Sequence, residues 1–415
     1  MNSESRLRSL PFGALAGLSD GLEPALARVL AGEPAERVLD RFLRAHRTLD
    51  ADGRRACAEA VFGVGLWRRR LRHALGGAPG SPRLLLALLL RDLGGRADAA
   101  ALAGLSEGEL PPPVAPPREL ADRWSLPDWL AAELVRAVGD EAGALADALD
   151  TPGPVALRAN RLRCDREALA AELESAGVST RPSRLAPDGL VATATPINVR
   201  GLAAWREGRC EVQDEGSQLL ALALGAGPGA RLLDRCAGAG GKALALAAAV
   251  GAGGRVFACD LDAGRLDRLA ERAGRAGAGA IVERLGAAPP AGLVVDGALV
   301  DAPCSELGPL RRGPDLRWRI DPATFAALPA LQLALLRDAA GAVRPGGRLV
   351  YSTCTFRPEE NEGVVLAFEA SAPGWRRVAP TAPAEALGPD GFLRTLPHRH
   401  GTDGFFAAAW ERVTR

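Results

Sequence analysis

Residues 231–242 read RLLDRCAGAGGK, residues 243–254 read ALALAAAVGAGG, and residues 255–260 read RVFACD. Leu232 and Leu233 form a short apolar run that stops at Asp234. Gly238, Gly240 and Gly241 then supply a turn in which the backbone can come close to a ligand. The alanine- and leucine-rich stretch that follows suits a helix. Arg255 to Asp260 repeats the strand pattern, and Arg265 to Ala276 is helical in period. Further out, Ala298 to Asp301 reads as a short buried strand, and Ala323 to Val343 as a long helix stopped by Arg344-Pro345-Gly346-Gly347. Arg348 to Ser352 is another strand. Strands alternating with helices predict an α/β domain over 216–415, built on a mostly parallel, doubly wound sheet. Ligands bind such sheets at the carboxyl ends of the strands, which is where the unusual residues of this chain fall.

Ahead of this domain the pattern differs. Residues 1–110 read as an all-helical domain, with Leu26, Val29 and Leu30, then Val38, Leu39, Phe42 and Leu43, at helical spacing. Its first hundred residues hold sixteen Arg against eleven acidic side chains. Pro111 to Pro117 is a stiff proline-rich boundary. Residues 118–215 are expected to form a helical linker, with Asp128–Val138 helical, and a small α+β module. In that module Val155–Asn160 and Leu190–Ala192 are strands, Val178–Arg181 is a third strand candidate, Asp165–Ala176 is a helix, and a short helix runs near Val199–Glu207.

Composition narrows the options. Of 415 residues, 47% are apolar and 24% charged, which excludes a mainly disordered chain. Fifty-one basic and fifty acidic residues nearly cancel, so any polyanion-binding surface must be local. The seven Cys form no Cys-x-x-Cys pair, and the four His complete no zinc pattern, so no metal is expected. The odd Cys count argues against a disulfide framework and for a reducing, cytoplasmic setting. Leu84 to Leu90 is too short to span a bilayer, and the weakly signal-like start is broken by Pro11, Gly13 and Gly17. Neither membrane association nor oligomerisation is expected. All but one basic residue is Arg, the exception being Lys242. Its site calls for a compact ammonium, unless the skew is only compositional.

Three stretches carry chemistry. The turn Cys236-Ala237-Gly238-Ala239-Gly240-Gly241-Lys242 lies between a strand and a helix whose first N–H groups are free. Asp260, at the next strand end, is placed to accept hydrogen bonds from a ribose diol. The pair fits either a dinucleotide or S-adenosylmethionine. No Ser or Thr follows Lys242, which argues against a magnesium-dependent phosphate loop. The second stretch is Asp301-Ala302-Pro303-Cys304-Ser305. The third is Tyr351-Ser352-Thr353-Cys354-Thr355, followed by Arg357 to Glu362. Two thiols at neighbouring strand ends would face one crevice, as redox partners or as nucleophile and helper. The other cysteines away from the turn read as small buried hydrophobes.

The succession CAGAGGK, CD, DAPCS, RRGPDLRW, YSTC and RPEENE resembles the NOL/NOP/Sun family of RNA cytosine methyltransferases, its bacterial Fmu-type 16S rRNA branch in particular. The resemblance runs from about residue 120 to the end, and the helical N-terminal part resembles a NusB-type RNA-binding domain. It implies a Rossmann-like methyltransferase domain, S-adenosylmethionine as cofactor, ribosomal RNA as partner, and 5-methylcytosine as product. It further implies that Cys354 attacks carbon 6 of cytosine and that Cys304 assists product release. Asp301 and Lys242 would hold the base and stabilise charge. Residues 236–242, Asp260, Arg265 and Asp301 match the cofactor site. RNA contacts are expected from Arg68, Arg69, Arg70, Arg72, Arg158, Arg161, Arg163, Arg311 and Arg312. The chain departs from the family in three places. Gly238, Ala239 and Ala243 replace Ala, Pro and Thr of the family turn. Glu306-Leu307-Gly308 stands where Gly-Thr-Gly is common. The acidic residue expected after the third strand is absent from Gly286-Ala287-Ala288. Two other readings are a non-catalytic RNA-binding relative and a nicotinamide-dependent dehydrogenase.

Overall fold

The computed structural model describes residues 2–194 and 197–414. The chain divides into two compact units, Met1–Pro152 with Leu310–Pro322, and Gly153–Pro309 with Ala323–Arg415. The division falls at Pro152, not at the proline run 111–117 where the sequence suggested a boundary. Helices Asp128–Val138 and Ala142–Leu149 therefore belong to the N-terminal unit, and the α+β module belongs with the larger, mostly parallel sheet.

The N-terminal unit is helical. Helices Ser19–Leu30, Ala35–Ala45 and Ala51–Leu66 bury Leu26, Val29, Val38 and Phe42 of the pattern read from the sequence, with Leu22, Val61 and Val64, while Leu30, Leu39 and Leu43 are half-buried. Residues 310–322, encoded between two strands of the other unit, join it through charge pairing. Arg317 is fully buried and donates from Nη1 to Asp150 Oδ1 at 2.7 Å, while Ala35 N donates to Asp315 Oδ2 at 3.2 Å. Arg311 and Arg312 belong to this unit too.

In the second unit, strands β1 (Ala156–Ala159), β2 (Thr180–Pro182), β3 (Gly189–Ala192) and β4 (Cys210–Val212) form an antiparallel sheet in the order β2-β3-β1-β4. Helix α1 (Arg166–Ser175), started by the Asp165 side chain on Ala168 N, packs Leu169 and Leu173 onto it. Helix α2 (Glu215–Leu222) leads into the larger sheet.

That sheet contains β5 (Arg231–Asp234), β6 (Arg255–Cys259), β7 (Val282–Gly286), β8 (Val295–Asp301), β9 (Val343–Thr353), β10 (Trp375–Val378), β11 (Leu393–Thr395) and β12 (Phe405–Arg412). Its order is β7-β6-β5-β8-β9-β12-β10, with β11 paired to β12. β5 to β9 are parallel, and β12 enters antiparallel to β9. Helices α3 (Gly241–Val250), α4 (Ala263–Ala276), α5 (Leu328–Ala342) and α6 (Glu362–Ser371) connect or follow the strands. The central strands are buried along nearly their whole length, which is why they read as continuous apolar runs instead of alternating ones. After β7 the chain crosses back to β8, beside β5, so the strand order reverses there. The crevice beyond the ends of β5 and β8 is the ligand position of this architecture.

Candidate active site

The glycine turn closes the end of β5. Gly240 has φ +92, and a Cβ there would meet Leu269 Cδ1 at 2.1 Å, so only glycine lets α3 start against α4. Gly238 and Gly241 instead face open space, where a side chain would fill the cradle. Asp260 accepts from Gly238 N at 2.8 Å and from Asp262 N at 2.9 Å. It thereby ties the turn to the end of β6, and its remaining lone pairs are the ones a ribose would use. The turn is also held from outside. Arg272 donates from Nη1 to Ala239 O at 2.6 Å and from Nη2 to Glu211 Oε2 at 2.8 Å. Arg265 lies on the exposed start of α4, 3.5 Å from Asp262, with its side chain 57% exposed.

Lys242, in the first turn of α3, pairs its Nζ with Asp301 Oδ2 at 2.6 Å. Burial alone would lower the ammonium, but Asp301 offsets this and the group lies above its usual range. Ser352 Oγ donates to Asp301 Oδ1 at 3.0 Å, fixing the carboxylate from the neighbouring strand. Asp234, at the end of β5, is fully buried, and both its oxygens lack a hydrogen-bond partner among the described residues. Burial, then the Asp301 charge, push its carboxyl up to about 7.

Cys304 and Cys354 do share one crevice, with Sγ atoms 3.3 Å apart and both thiols free. The Cys354 thiol is pushed well above its usual range by the Cys304 hydrogen bond, by burial, and by the charges of Asp301 and Glu306. It is a protonated thiol at rest. The two loops that carry the cysteines are joined by polar groups from the RPEENE stretch. Glu360, with no exposed surface, accepts through Oε2 from Ser305 N and Gln332 Nε2, each at 2.9 Å, and pairs with Arg357 Nη1 at 3.2 Å. Thr353 Oγ1 donates to Asn361 Oδ1 at 2.6 Å, and Asn361 Nδ2 donates to Thr355 O at 3.0 Å. Gly308 N donates to Cys354 O at 2.9 Å, and a Cβ on Gly308 would meet Gly404 O at 2.0 Å. Glu306, where the family turn has Gly, adopts φ +54.

The sequence reading gathered Lys242, Asp301, Cys304, Cys354, the glycine turn and Asp260, and the structure brings them to adjoining strand ends. It missed Asp234, Glu360, Asn361, Gln332 and Arg272. At the turn after β7 no carboxylate stands. Ala287 presents its carbonyl, which accepts from Arg235 Nη1 at 3.0 Å. Among the expected RNA-binding arginines, Arg69 is paired with Asp122 and Asp128, and Arg70 is buried and paired with Glu4. Arg158 and Arg311 are buried too, whereas Arg161, Arg163 and Arg312 are exposed. Among the described residues no helix is long and apolar enough to cross a membrane, and no cluster of metal-ligating side chains occurs.

A glycine turn at a helix start, a strand-end carboxylate, and a parallel sheet finished by an antiparallel strand define an S-adenosylmethionine-dependent methyltransferase. The family model for the 16S rRNA methyltransferase RsmB/F matches residues 221–411, and that for the RsmF/B-like ferredoxin-like domain matches residues 126–200. The probable ribosomal RNA small subunit methyltransferase B of Synechocystis sp. is 37% identical over 304 residues, covering 70% of this chain and 67% of the relative. Its counterpart in Bacillus subtilis is 34% identical over 311 residues, covering 72% and 68%. The crystal structure of PH0851 superposes with a TM-score of 0.77 at 26% identity, covering 95% of this chain and 99% of that one. A methyltransferase homolog protein from Pyrococcus horikoshii gives 0.59 at 25% identity, covering 71% and 97%. This chain belongs to the RsmB/F methyltransferase family.

Proposed function

We propose that this chain methylates carbon 5 of a cytosine in small-subunit ribosomal RNA through a covalent bond to Cys354. The observation that carries this reading is the pair of free thiols 3.3 Å apart beside the Lys242–Asp301 ion pair. Carbon 5 of cytosine is a poor nucleophile. Addition of the Cys354 thiolate to carbon 6 forms an S–C bond and turns carbon 5 into an enamine carbon. S-adenosylmethionine, when bound, supplies the methyl group that this carbon takes up. A base, the part given to Cys304, then takes the carbon 5 proton, and the electron pair left behind restores the ring double bond, breaks the S–C bond and returns the Cys354 thiolate.

The residues divide the work by position. Cys354 is protonated at rest, so its proton leaves only as the base arrives and ends on cytosine N3, which gains negative charge when carbon 6 is attacked, with the Lys242 ammonium favouring the thiolate meanwhile. Asp301, fixed by Ser352 and Lys242, holds the base and stabilises its charge. Cys304, in contact with the nucleophile, acts at release. Cys236 to Lys242 and Asp260 hold the cofactor: the open spaces at Gly238 and Gly241 admit it, and the Asp260 carboxylate takes its ribose. Arg265 stands at the outer edge of that site. The helical unit contributes RNA affinity from a cavity of about 650 Å³ lined by Arg68, Arg72, His73 and Trp318.

The test is incubation of the purified chain with methyl-labelled S-adenosylmethionine and unmethylated 16S rRNA, followed by bisulfite sequencing. Label at one cytosine, read as bisulfite-resistant, is expected. Label elsewhere, or none with the cofactor bound, overturns the reading. One observation favours a second reading, a relative that binds RNA without catalysis: the missing acid near Ala287 removes an acceptor for adenine. No binding of S-adenosylmethionine to the purified chain would support it.

A further inference from the structure

Away from the two thiols, the second unit holds a buried cation that forms no ion pair of its own among the described residues. Arg158 lies on β1, in the interior of the four-stranded sheet, and is 4% exposed. Its Nε donates to Gln213 Oε1 at 2.7 Å, and its two Nη groups donate to none of the described residues. The strand partner directly opposite is Glu211, whose carboxylate is already held by Arg272 and Arg275. Three guanidinium groups therefore share one acid. Burial pulls the Arg158 guanidinium down to about 10, so it stays charged at neutral pH.

Arg158 lines a cavity of about 550 Å³ bounded by Arg161, Asp188, Gln218 and the second half of α3. Arg161 is at its rim, 64% exposed and only 3.5 Å-paired with Asp188. Gln218 gives its Nε2 to Gln213 O at 2.9 Å, and its buried Oε1 has no partner among the described residues. The cavity runs along α3 from Ala245 to Gly251, whereas the cysteines and Lys242 sit at the other end of that helix. A buried, unpaired guanidinium beside a cavity is stabilised by an anion entering it, and a planar two-nitrogen edge suits phosphate oxygens.

We infer that this cavity takes a backbone phosphate of the RNA substrate, at a distance from the target base, and sets the register of the strand. The inference rests on the reading that the substrate is RNA. RNA is favoured over a free anion because two further arginines of the same segment, Arg161 at the rim and Arg163 two residues on, are exposed.

Two variants test it. Arg158→Gln removes the charge, and Ala248→Glu places a carboxylate in the cavity while leaving Arg158 in place, so a folding defect in one does not end the test. Binding of an unmethylated 16S rRNA fragment is measured by anisotropy across a salt series, together with S-adenosylmethionine affinity. Both variants should bind RNA about tenfold more weakly, with the slope of log K against log salt shallower by about 0.7 to 0.9 and cofactor affinity unchanged. Parent-like slopes in both variants overturn the inference. Parent-like slopes together with thermal stabilisation of the parent alone by inorganic phosphate would assign the cavity to a free anion, which also overturns it. Failure of the parent itself to bind RNA is a different result and counts against the substrate reading.

Discussion

Replacing Glu360 by Ala tests whether the RPEENE stretch is the scaffold of the two cysteine loops. The carboxylate has no exposed surface and takes two neutral donors, Ser305 N and Gln332 Nε2, and one charged one, Arg357. Its removal leaves the buried Ser305 N–H without this acceptor, takes one of two acceptors from Gln332 Nε2, which also donates to Pro303 O at 2.9 Å, and removes the shorter of the Arg357 ion pairs, the one to Glu359 at 3.6 Å remaining. An unsatisfied buried donor costs about 1–3 kcal/mol, and breaking a buried ion pair about 3–5 kcal/mol. These terms overlap, so Glu360→Ala should lose about 3–5 kcal/mol, and Glu360→Gln, which keeps one acceptor oxygen, roughly 1.5–3 kcal/mol. Urea unfolding with an unchanged m-value gives both numbers. A second readout follows the loops themselves: diamide should join Cys304 to Cys354 rapidly in the parent and more slowly in Glu360→Ala. A loss below about 1 kcal/mol with parent-like cross-linking would show that the loops hold each other without Glu360.

Three further outcomes are expected. The Asp234 carboxyl is raised to about 7, so the folded state holds a proton that the unfolded state releases near its ordinary value of 3.8. Its contribution is therefore complete below that value and is lost as pH rises through about 7. Asp234→Asn should flatten this fall and gain stability relative to the parent at pH 8 but not at pH 4, as read from urea midpoints. Equal gains at both pH values would show that the carboxyl does not titrate in that window. Glu306 holds a left-handed backbone and places a negative charge near Cys354. Glu306→Gly should stabilise the fold by about 1 kcal/mol and speed alkylation of Cys354 at fixed pH, and a slower reaction would reverse the assigned sign. Ala287→Asp restores an acid beside the cofactor crevice and should tighten S-adenosylmethionine about tenfold by calorimetry. Unchanged affinity would mean that the adenine is already satisfied.

What could be read from sequence followed the strength of the local signal. β5, β6 and β8 were legible because each is a short apolar run closed by a strand-end Asp or Cys-Asp. The β10 and β12 pair was not, because FFAAAWER is buried on both faces in its first six residues and shows no alternation. β9 begins at Val343, ahead of the expected Arg348, since Pro345-Gly346-Gly347 sits in a register shift against β8 and does not end the pairing. The site was legible where chemistry and motif coincided, at Lys242, Asp301, Cys304 and Cys354. Glu360 entered only as a letter of the RPEENE motif, because nothing in its spacing shows that this charged stretch is enclosed. Asp234 escaped because nothing local distinguishes an orphaned carboxylate from an ordinary strand terminus. The Arg158 neighbourhood depends on residues from β1, β4, α2, α3 and α4, which no spacing rule brings together.

The central claim is that Cys354 forms the bond to RNA and Cys304 releases it. The most direct measurement mixes each Cys-to-Ala variant with unmethylated 16S rRNA and S-adenosylmethionine, and runs the product on a denaturing gel. Cys304→Ala should give a denaturant-resistant protein–RNA band, and Cys354→Ala should give neither band nor methyl transfer. A trapped band with Cys354→Ala and none with Cys304→Ala would contradict the assignment.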